Sequence, residues 1–436
     1  ILGVCGKLMA GVANLAVEKG FQVVGIDKCF QPPMSQMLSS DHIELMTDYP
    51  SHFDVQPGDH VIVGNQITRS LPLIQKFITD RVKLYSAPEW LMEHVLRDRY
   101  VIAVTGSHGK TTITAMIAWV LSSMGEDPGY LIGGVSQQLK ATAKLGTSQY
   151  FVIEADEYDT AFFDKRPKFL HYWPVLLVIS HIDYDHADIY PNFRDLIKQY
   201  KFLLRLLPSH GKVIATGLPE AVIDQIASFK LPNSLYGNGG NDEKEIISNI
   251  HLKIPGAFNL QNALACYLTC RHLGFEPSDI YDQLSKFQGA RRRQTLMLNG
   301  VVQFYDDFAH HPKEVSAVCK ALSKGRRLIV VYHPATYTQR MGLMDEEVVA
   351  ALSPAHHVVM LIPPKHEICL ALYEKNTIDY VENEDDLAKV VMGLVQEGDT
   401  VVVMSAYYLA NFWSVIIEGE SSSWREDDCN LPELAL

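Results

Sequence analysis

The chain has no excess of positive charge. Its 38 Lys and Arg stand against 51 Asp and Glu, a formal charge of −13, and that balance excludes a general polyanion binder, so no nucleic-acid partner is expected. It also has no C-x-x-C pair: seven cysteines are scattered at 5, 29, 266, 270, 319, 369 and 429. An odd, dispersed set in a large chain predicts reduced thiols and a cytoplasmic location. Cys266 and Cys270 lie one helical turn apart with His272 nearby, and buried thiols are expected there rather than a metal site. No basic leader precedes the apolar opening I-L-G-V-C-G-K-L-M-A-G, which is read as a strand start rather than a signal peptide, with the true N-terminus upstream. Unbroken apolar runs are short as well. The run Val401 to Ile417 is interrupted at Ser405, Asn411 and Ser414, so it predicts a buried strand over Val401–Met404 and then a buried helix, with no stable membrane insertion.

Several nucleotide motifs are also missing in their strict forms. G-x-G-x-x-G does not occur, which disfavours an NAD site. N-K-x-D is absent where a GTPase would carry it, since Ser180-His181-Ile182-Asp183 lacks both the Asn and the Lys. The full G-x-x-x-x-G-K-T is not met either, because Val104 stands at its first glycine.

What remains is an ordinary globular composition, 47% apolar and 20% charged over 436 residues, long enough for two or three domains. At its centre lies V-I-A-V-T-G-S-H-G-K-T-T, residues 101 to 112. A buried strand empties into Gly106, Ser107, His108 and Gly109, and a helix begins at Lys110, Thr111 and Thr112. Backbone N–H groups at such a turn can curl around an anion, and the helix N-terminus favours negative charge. Lys110 is expected to reach the β/γ-phosphates of ATP, and Thr111 to hold Mg²⁺ through its hydroxyl. The bland alternative is a glycine turn carrying a surface lysine.

Upstream, Gly3-x-x-Gly6, Ala10-Gly11 and a strand ending in Asp27 form a βαβ pattern. Its glycines admit a pyrophosphate, or merely allow tight packing, and Asp27 is placed to take a ribose hydroxyl. A further strand at 60 to 65 leads through Asn65 to Thr68 and Arg69. Downstream, the strand Y-F-V-I-E ends in Glu154, with Asp156, Glu157 and Asp159 close behind; an acid there is suited to complete a Mg²⁺ shell. The next apolar run, 175 to 179, opens into Asp183, Asp185, His186 and Asp188, a reasonable site for a second divalent ion. Residues 208 to 255 read as polar and turn-rich. At Gly256 a helix resumes with Asn259 and Asn262 on one face, where capping alone would also explain them. Arg291-Arg292-Arg293 is either a solvated patch or a phosphoryl clamp. Strands at 301, 328, 358 and 401 then alternate with helices in a third α/β unit, and the tail S-S-S-W-R-E-D-D is expected to be mobile.

In order, V-T-G-S-H-G-K-T-T, V-I-E-A-D-E-Y-D, D-Y-D-H-A-D, G-A-F-N-L-Q-N, A-R-R-R and Y-D-D-F-A-H-H-P resemble the Mur ligases over nearly the whole chain to about 405. The resemblance implies an α/β protein of three domains: 1–97, Rossmann-like and UDP-sugar-binding; 98–290, a P-loop ATP domain; and 291–436, Rossmann-like and peptide-binding. It implies ATP-dependent amide formation with Mg²⁺, two ions expected and Mn²⁺ a substitute. Glu154 joins Thr111 at the first ion and His186 holds the second. Asn262 touches ATP, Arg293 the phosphates, and Asp307 with His310 the nucleotide, so that Lys110, His186 and Arg293 are the catalytic set. Gly6, Asn65 and Arg69 belong to the UDP-sugar site, beside Asp27. Residues 154 to 172, E-A-D-E-Y-D-T-A-F-F-D-K-R-P-K-F-L-H-Y, are similar to the family's recycling branch. That branch joins UDP-N-acetylmuramate to the murein tripeptide L-Ala-γ-D-Glu-meso-diaminopimelate. The alternatives are the branch that adds L-alanine to the same sugar nucleotide and, from another class, an ATP-dependent switch that ligates nothing. Departures from the family pattern are Phe258 in place of His, Thr295 in place of an acid, and Ala406-Tyr407-Tyr408 in place of an Asn-Gly turn. Lys201 falls where some members carry a carbamylated lysine, a feature the two nearest branches lack as a rule.

Overall fold

The computed structural model describes residues 1–30, 34–38, 42–136, 138–139, 141–183, 189–218, 220–227, 235–236, 240–364 and 378–419. They form two compact units, Ile1–Leu252 with Leu260–Gln288, and Lys253–Asn259 with Gly289–Leu436.

The first unit holds one parallel sheet and one that is parallel except at an edge. In one, Val23–Asp27 pairs with Ile43–Thr47 and Val61–Val63 pairs with Leu84–Ser86. The opening segment lies between them, with Leu2 bridged in parallel to both Ile26 and Val63. The order from edge to edge is therefore 43–47, 23–27, residue 2, 61–63 and 84–86. The chain reverses direction of growth at residue 2, so Gly3–Gly6 and Gly64–Asn65 follow neighbouring strands at a topological switch point, where open α/β sheets bind ligands. The helix Lys7–Glu18 buries Met9, Ala10, Val12, Ala13, Leu15 and Ala16. Its Gly11 has no room for a Cβ, since Leu131 of the neighbouring sheet fills that space and Ala143 lies 3.4 Å away. One apolar cluster consequently runs from Val12 and Leu15 through Trp90 to Leu131 and Phe151, continuous across position 97.

The second sheet of this unit has seven strands in the order 235–236, 212–215, 176–179, 100–105, 150–154, 129–131, 143–144. All pairs are parallel except the last. Its central strands are apolar on both faces because helices cover both. Lys212–Ala215 corrects the turn-rich reading of 208 to 255. Only Val213, Ile214 and Ala215 form its apolar run, too short to stand out by periodicity, yet all three are fully buried against Leu177–Ile179.

The second unit carries a six-stranded sheet in the order 295–299, 303–307, 400–405, 328–333, 357–361, 378–381, with only the edge strand 295–299 antiparallel. Alternate side chains feed two cores: Leu328, Val330 and Tyr332 face one with Val315 and Leu352, while Ile329 and Val331 face the other with Phe412 and Trp413. The expected buried strand is found as Thr400–Ser405; the helix Ala410–Gly419 buries Phe412, Trp413 and Ile416 but exposes Val415, so it is buried on one face only. Among the described residues no helix is long and apolar enough to cross a membrane. The serine-rich acidic tail lies outside the described residues.

Candidate active site

The strand Tyr100–Thr105 delivers the glycine loop to the helix Lys110–Ser123. Val104 is still inside the sheet, paired with Val178 on one side and Glu154 on the other. The glycine missing from the strict motif therefore falls on a strand residue, and the loop proper is only Gly106–Gly109. Two of its residues must be glycine for space as well as conformation. Gly106 has φ +126 and a Cβ there would strike Ser180 and His181; Gly109 has φ +81 and a Cβ would strike Asn262. Asn262 thus lies directly against the loop.

Residues 180 to 183 fasten the loop. The Ser180 hydroxyl donates to the carbonyls of Thr105 at 3.2 Å and His108 at 2.5 Å. The Ser107 N–H donates to the His181 carbonyl at 2.5 Å, and its hydroxyl takes the Asp183 N–H at 2.8 Å. His108 and His181 share the Asp183 carboxylate at 3.3 and 3.1 Å. Asp185, His186 and Asp188 lie outside the described residues, so the expected second-ion ligand has no structural account.

Lys110 is enclosed. Its ammonium donates to the Gly106 carbonyl and to Glu157 Oε2, both at 2.8 Å, and lies 3.4 Å from Asp156 Oδ1. Glu157 is 1% exposed and takes the Tyr200 hydroxyl on its other oxygen at 2.8 Å. Burial opposes the charge on Lys110, but the carboxylates of Glu157 and Asp156 outweigh it and hold the ammonium above the usual lysine range. The sequence offers Glu157 only as one of a cluster of acids after the strand, and it does not mark Tyr200. An acid three residues past a strand end resembles any loop acid, and its partner lies 43 residues on.

The Thr111 hydroxyl donates to Glu154 Oε1 at 3.1 Å, and the Gly133 N–H donates to Oε2 at 2.7 Å. A Cβ on Gly133 would come within 2.8 Å of both Glu154 oxygens, so the bare glycine leaves the carboxylate its room. A hydroxyl and a carboxylate adjoining at a helix N-terminus are the oxygen donors that a small hard cation takes, and these residues fit Mg²⁺.

In the first sheet, Gly6 starts the helix Lys7–Glu18. Asp27 Oδ2 takes the Cys5 N–H at 2.9 Å and Oδ1 the Lys28 N–H at 2.8 Å, so this acid braces the glycine turn. Asn65 and the exposed Arg69 follow the strand Val61–Val63, where the Arg69 carbonyl takes the Gln75 amide.

In the second unit the structure gathers Arg293, Asp307 and His310. Arg293 stacks on Phe308 at 5.2 Å and lies 3.7 Å from Glu314, as does His310. Asp307 takes the N–H groups of Gln294 and Ala309 at 2.8 and 2.6 Å. Arg292 is an internal clasp: it reaches Asp306 at 3.1 Å and the carbonyls of Ser405 and Tyr407 at 2.7 and 2.9 Å. It thereby holds the Ala406-Tyr407-Tyr408 turn that departs from the family pattern. Thr295 takes the Arg292 N–H at 2.8 Å, closing the same turn, and Phe258 packs on the apolar core of this unit. Asn259 does not cap its helix. It sits inside the first turn and its amide donates to the Pro255 carbonyl at 2.6 Å and to Gln294 at 3.1 Å.

Burial pushes Asp306 and Asp307 up to about 6, against the partial relief given by Arg292 and Arg293 respectively. Both bind protons more tightly folded than unfolded. Stability therefore falls as pH rises from about 4 to 6, by roughly 2–3 kcal/mol for each. Asp306→Asn is expected to remove about half of that slope, read from chemical-unfolding midpoints between pH 4 and 7; an unchanged slope would show that Asp306 does not titrate there.

Comparison with known proteins bears on this arrangement. Residues 104–270 match the Mur ligase middle domain and residues 291–407 the Mur ligase, glutamate ligase domain. A UDP-N-acetylmuramate–L-alanyl-γ-D-glutamyl-meso-2,6-diaminoheptandioate ligase of Escherichia coli K12 is 37% identical over 436 residues, covering 93% of this chain and 94% of its own. The chain belongs to the Mur ligase family. It is an ATP-dependent, ADP-forming ligase that works with Mg²⁺, on the α/β three-domain Mur ligase architecture. The crystal structure of a murein peptide ligase from Psychrobacter arcticus superposes with a TM-score of 0.71 at 29% identity, covering 96% of this chain and 97% of that one. The UDP-N-acetylmuramate–alanine ligase of Thermotoga maritima reaches 0.78 at 19% identity over 96% and 97%, a likeness of fold.

Proposed function

We propose that this Mur ligase joins UDP-N-acetylmuramate to the tripeptide L-Ala-γ-D-Glu-meso-diaminopimelate in murein recycling. The observation that carries the reading is the 37% identity to the Escherichia coli ligase of that name over 93% of the chain. Residues 1–97 serve the sugar nucleotide, 98–290 ATP and 291–436 the peptide, in the cytoplasm.

A lactyl carboxylate oxygen attacks the γ-phosphorus of ATP and ADP departs, leaving an acyl phosphate. The peptide amine then attacks the activated carbonyl, loses its proton, and inorganic phosphate leaves. Both steps need charge neutralised where it develops. Lys110 meets the β/γ-phosphates within the loop Gly106–Thr112, and Arg293 adds a second cation. Asn262, Asp307 and His310 complete the nucleotide contacts, while Gly6, Asp27, Asn65 and Arg69 hold the sugar nucleotide. Mg²⁺, or Mn²⁺ in its place, supplies further neutralisation of the phosphoryl oxygens; Thr111 and Glu154 would hold one ion and His186 a second.

The test is an acceptor comparison. Purified protein is supplied with ATP, Mg²⁺, UDP-N-acetylmuramate and either the tripeptide or L-alanine, and the products are weighed by mass spectrometry. A new amide with the tripeptide is expected, at a rate at least about tenfold above that with L-alanine, since groups built to bind the longer peptide are left unpaired by the shorter. Product with L-alanine alone would transfer the assignment to the alanine-adding branch. ATP hydrolysis with no amide from either acceptor would point to the switch.

A further inference from the structure

Lys168 is a second cation beside the phosphate loop, and none of the roles above uses it. Its backbone N–H donates to the Tyr158 carbonyl at 3.0 Å, closing the hairpin Asp159–Ala161 with Asp164–Pro167. Its ammonium, with 15% of the side chain exposed, lies 3.1 Å from Asp156 Oδ2. The other oxygen of that carboxylate is 3.4 Å from Lys110. A single acid therefore bridges the lysine of the phosphate loop and a lysine from a separate segment.

Lys110 already has closer partners in Glu157 and Gly106, both at 2.8 Å. Asp156 is the more exposed of its two acids, 29% against 1% for Glu157. Water reaches the Asp156 carboxylate and screens the pair, so its contact with Lys168 can be exchanged for another anion. A carboxylate resting between two ammonium groups is also the arrangement an attacking acid requires. Such an acid must approach a triphosphate that repels it, and a cation next to the phosphate-binding lysine offsets that repulsion.

The hairpin joins this place to the sugar-nucleotide sheet. At its tip Phe162 packs against the apolar cluster that includes Leu2, Ile67 and Leu73. Ile67 and Leu71 flank Arg69 on the loop that follows the strand Val61–Val63. One continuous stretch, 154 to 168, thus touches Thr111 and Lys110 at its start, packs at its tip on the apolar cluster that also holds Ile67, and returns to Asp156 through Lys168.

We propose that Lys168 binds the lactyl carboxylate of the sugar nucleotide, taking it in exchange for Asp156 and holding it beside the γ-phosphate. The inference rests on the sugar-nucleotide reading above. Equilibrium binding tests it without ATP turnover, using UDP-N-acetylmuramate and UDP-N-acetylglucosamine, which lacks the lactyl acid. Wild type is expected to prefer the former by about tenfold or more, the scale of a charged hydrogen bond. Lys168→Ala should lose most of that preference while binding UDP-N-acetylglucosamine and ATP as wild type does, and Lys168→Arg should keep part of it. A preference that survives in Lys168→Ala, or an equal loss for both sugar nucleotides and ATP with a lower Tm, would overturn the assignment in favour of a structural lysine. Wild type that binds both sugar nucleotides alike would overturn it too, leaving the UDP-sugar site intact. Wild type that binds neither would remove the sugar-nucleotide reading itself.

Discussion

Lys110→Ala is expected to lower the rate of ligation by about 10²-fold or more, the loss seen when one preorganised charge-stabilising group is removed from a transition state. Its ammonium is fixed by the Gly106 carbonyl, Glu157 and Asp156, so it needs little rearrangement to meet a phosphoryl group. The same substitution leaves Glu157 buried without its cation, and that alone would destabilise the fold. The two effects can be separated. In Lys110→Ala with Glu157→Gln the orphaned charge is gone, so thermal stability should return towards wild type while turnover stays low. Turnover recovering along with stability would mean that Lys110 matters only for folding, and single-turnover ligation at saturating ATP reads the difference.

Glu157→Ala is expected to cost about 3 kcal/mol or more, the range for removing one member of a buried ion pair. In a unit of this size that corresponds to a fall of roughly 5–10 °C in Tm. Two groups each lose one of their partners at once: the Lys110 ammonium and the Tyr200 hydroxyl, both 2.8 Å from the carboxylate. Lys110 is held above its ordinary range, so the contribution of the pair is fully present at neutral pH. It is lost only as pH climbs past the ordinary lysine value of about 10.5. Glu157→Gln keeps an acceptor for Tyr200 and should cost less than Glu157→Ala. Equal losses in the two variants, measured by thermal unfolding at pH 7, would place the effect in cavity formation rather than in charge.

Much of this framework was legible in the sequence because it follows from local rules. The strands ending in Thr105, Glu154 and Ile179 are apolar runs closed by polar residues, and the glycine loop announces itself by its residue types. The α/β character of the sheets followed from the alternation of strands and helices. What stayed hidden depends on contacts between distant segments. The clamp of Ser180 and Asp183 on the loop joins residues more than 70 positions apart. The pairing of Glu157 with Tyr200 spans 43, and no periodicity reports either. Arg292 is the sharpest case. In the sequence it is one of three like arginines, but its backbone at φ +60 turns it inward to Asp306 and the 405–407 carbonyls. Its neighbour Arg293 instead turns to Phe308 and Glu314. Only the tertiary fold separates a clasp from a candidate phosphate ligand.

The fastening of Gly106–Gly109 by Ser180, His181 and Asp183 has a further effect, on release. Ordering a backbone residue costs about 1–2 kcal/mol, and here that cost is met when the protein folds, before any nucleotide arrives. In the proposed ATP site, a loop fastened in this way is expected to keep its shape with a triphosphate and with a diphosphate, so that melting of the loop does not release ADP. On that proposal, departure of the spent nucleotide depends on the contacts that vanish with the γ-phosphate, that of the lysine at the head of the helix among them.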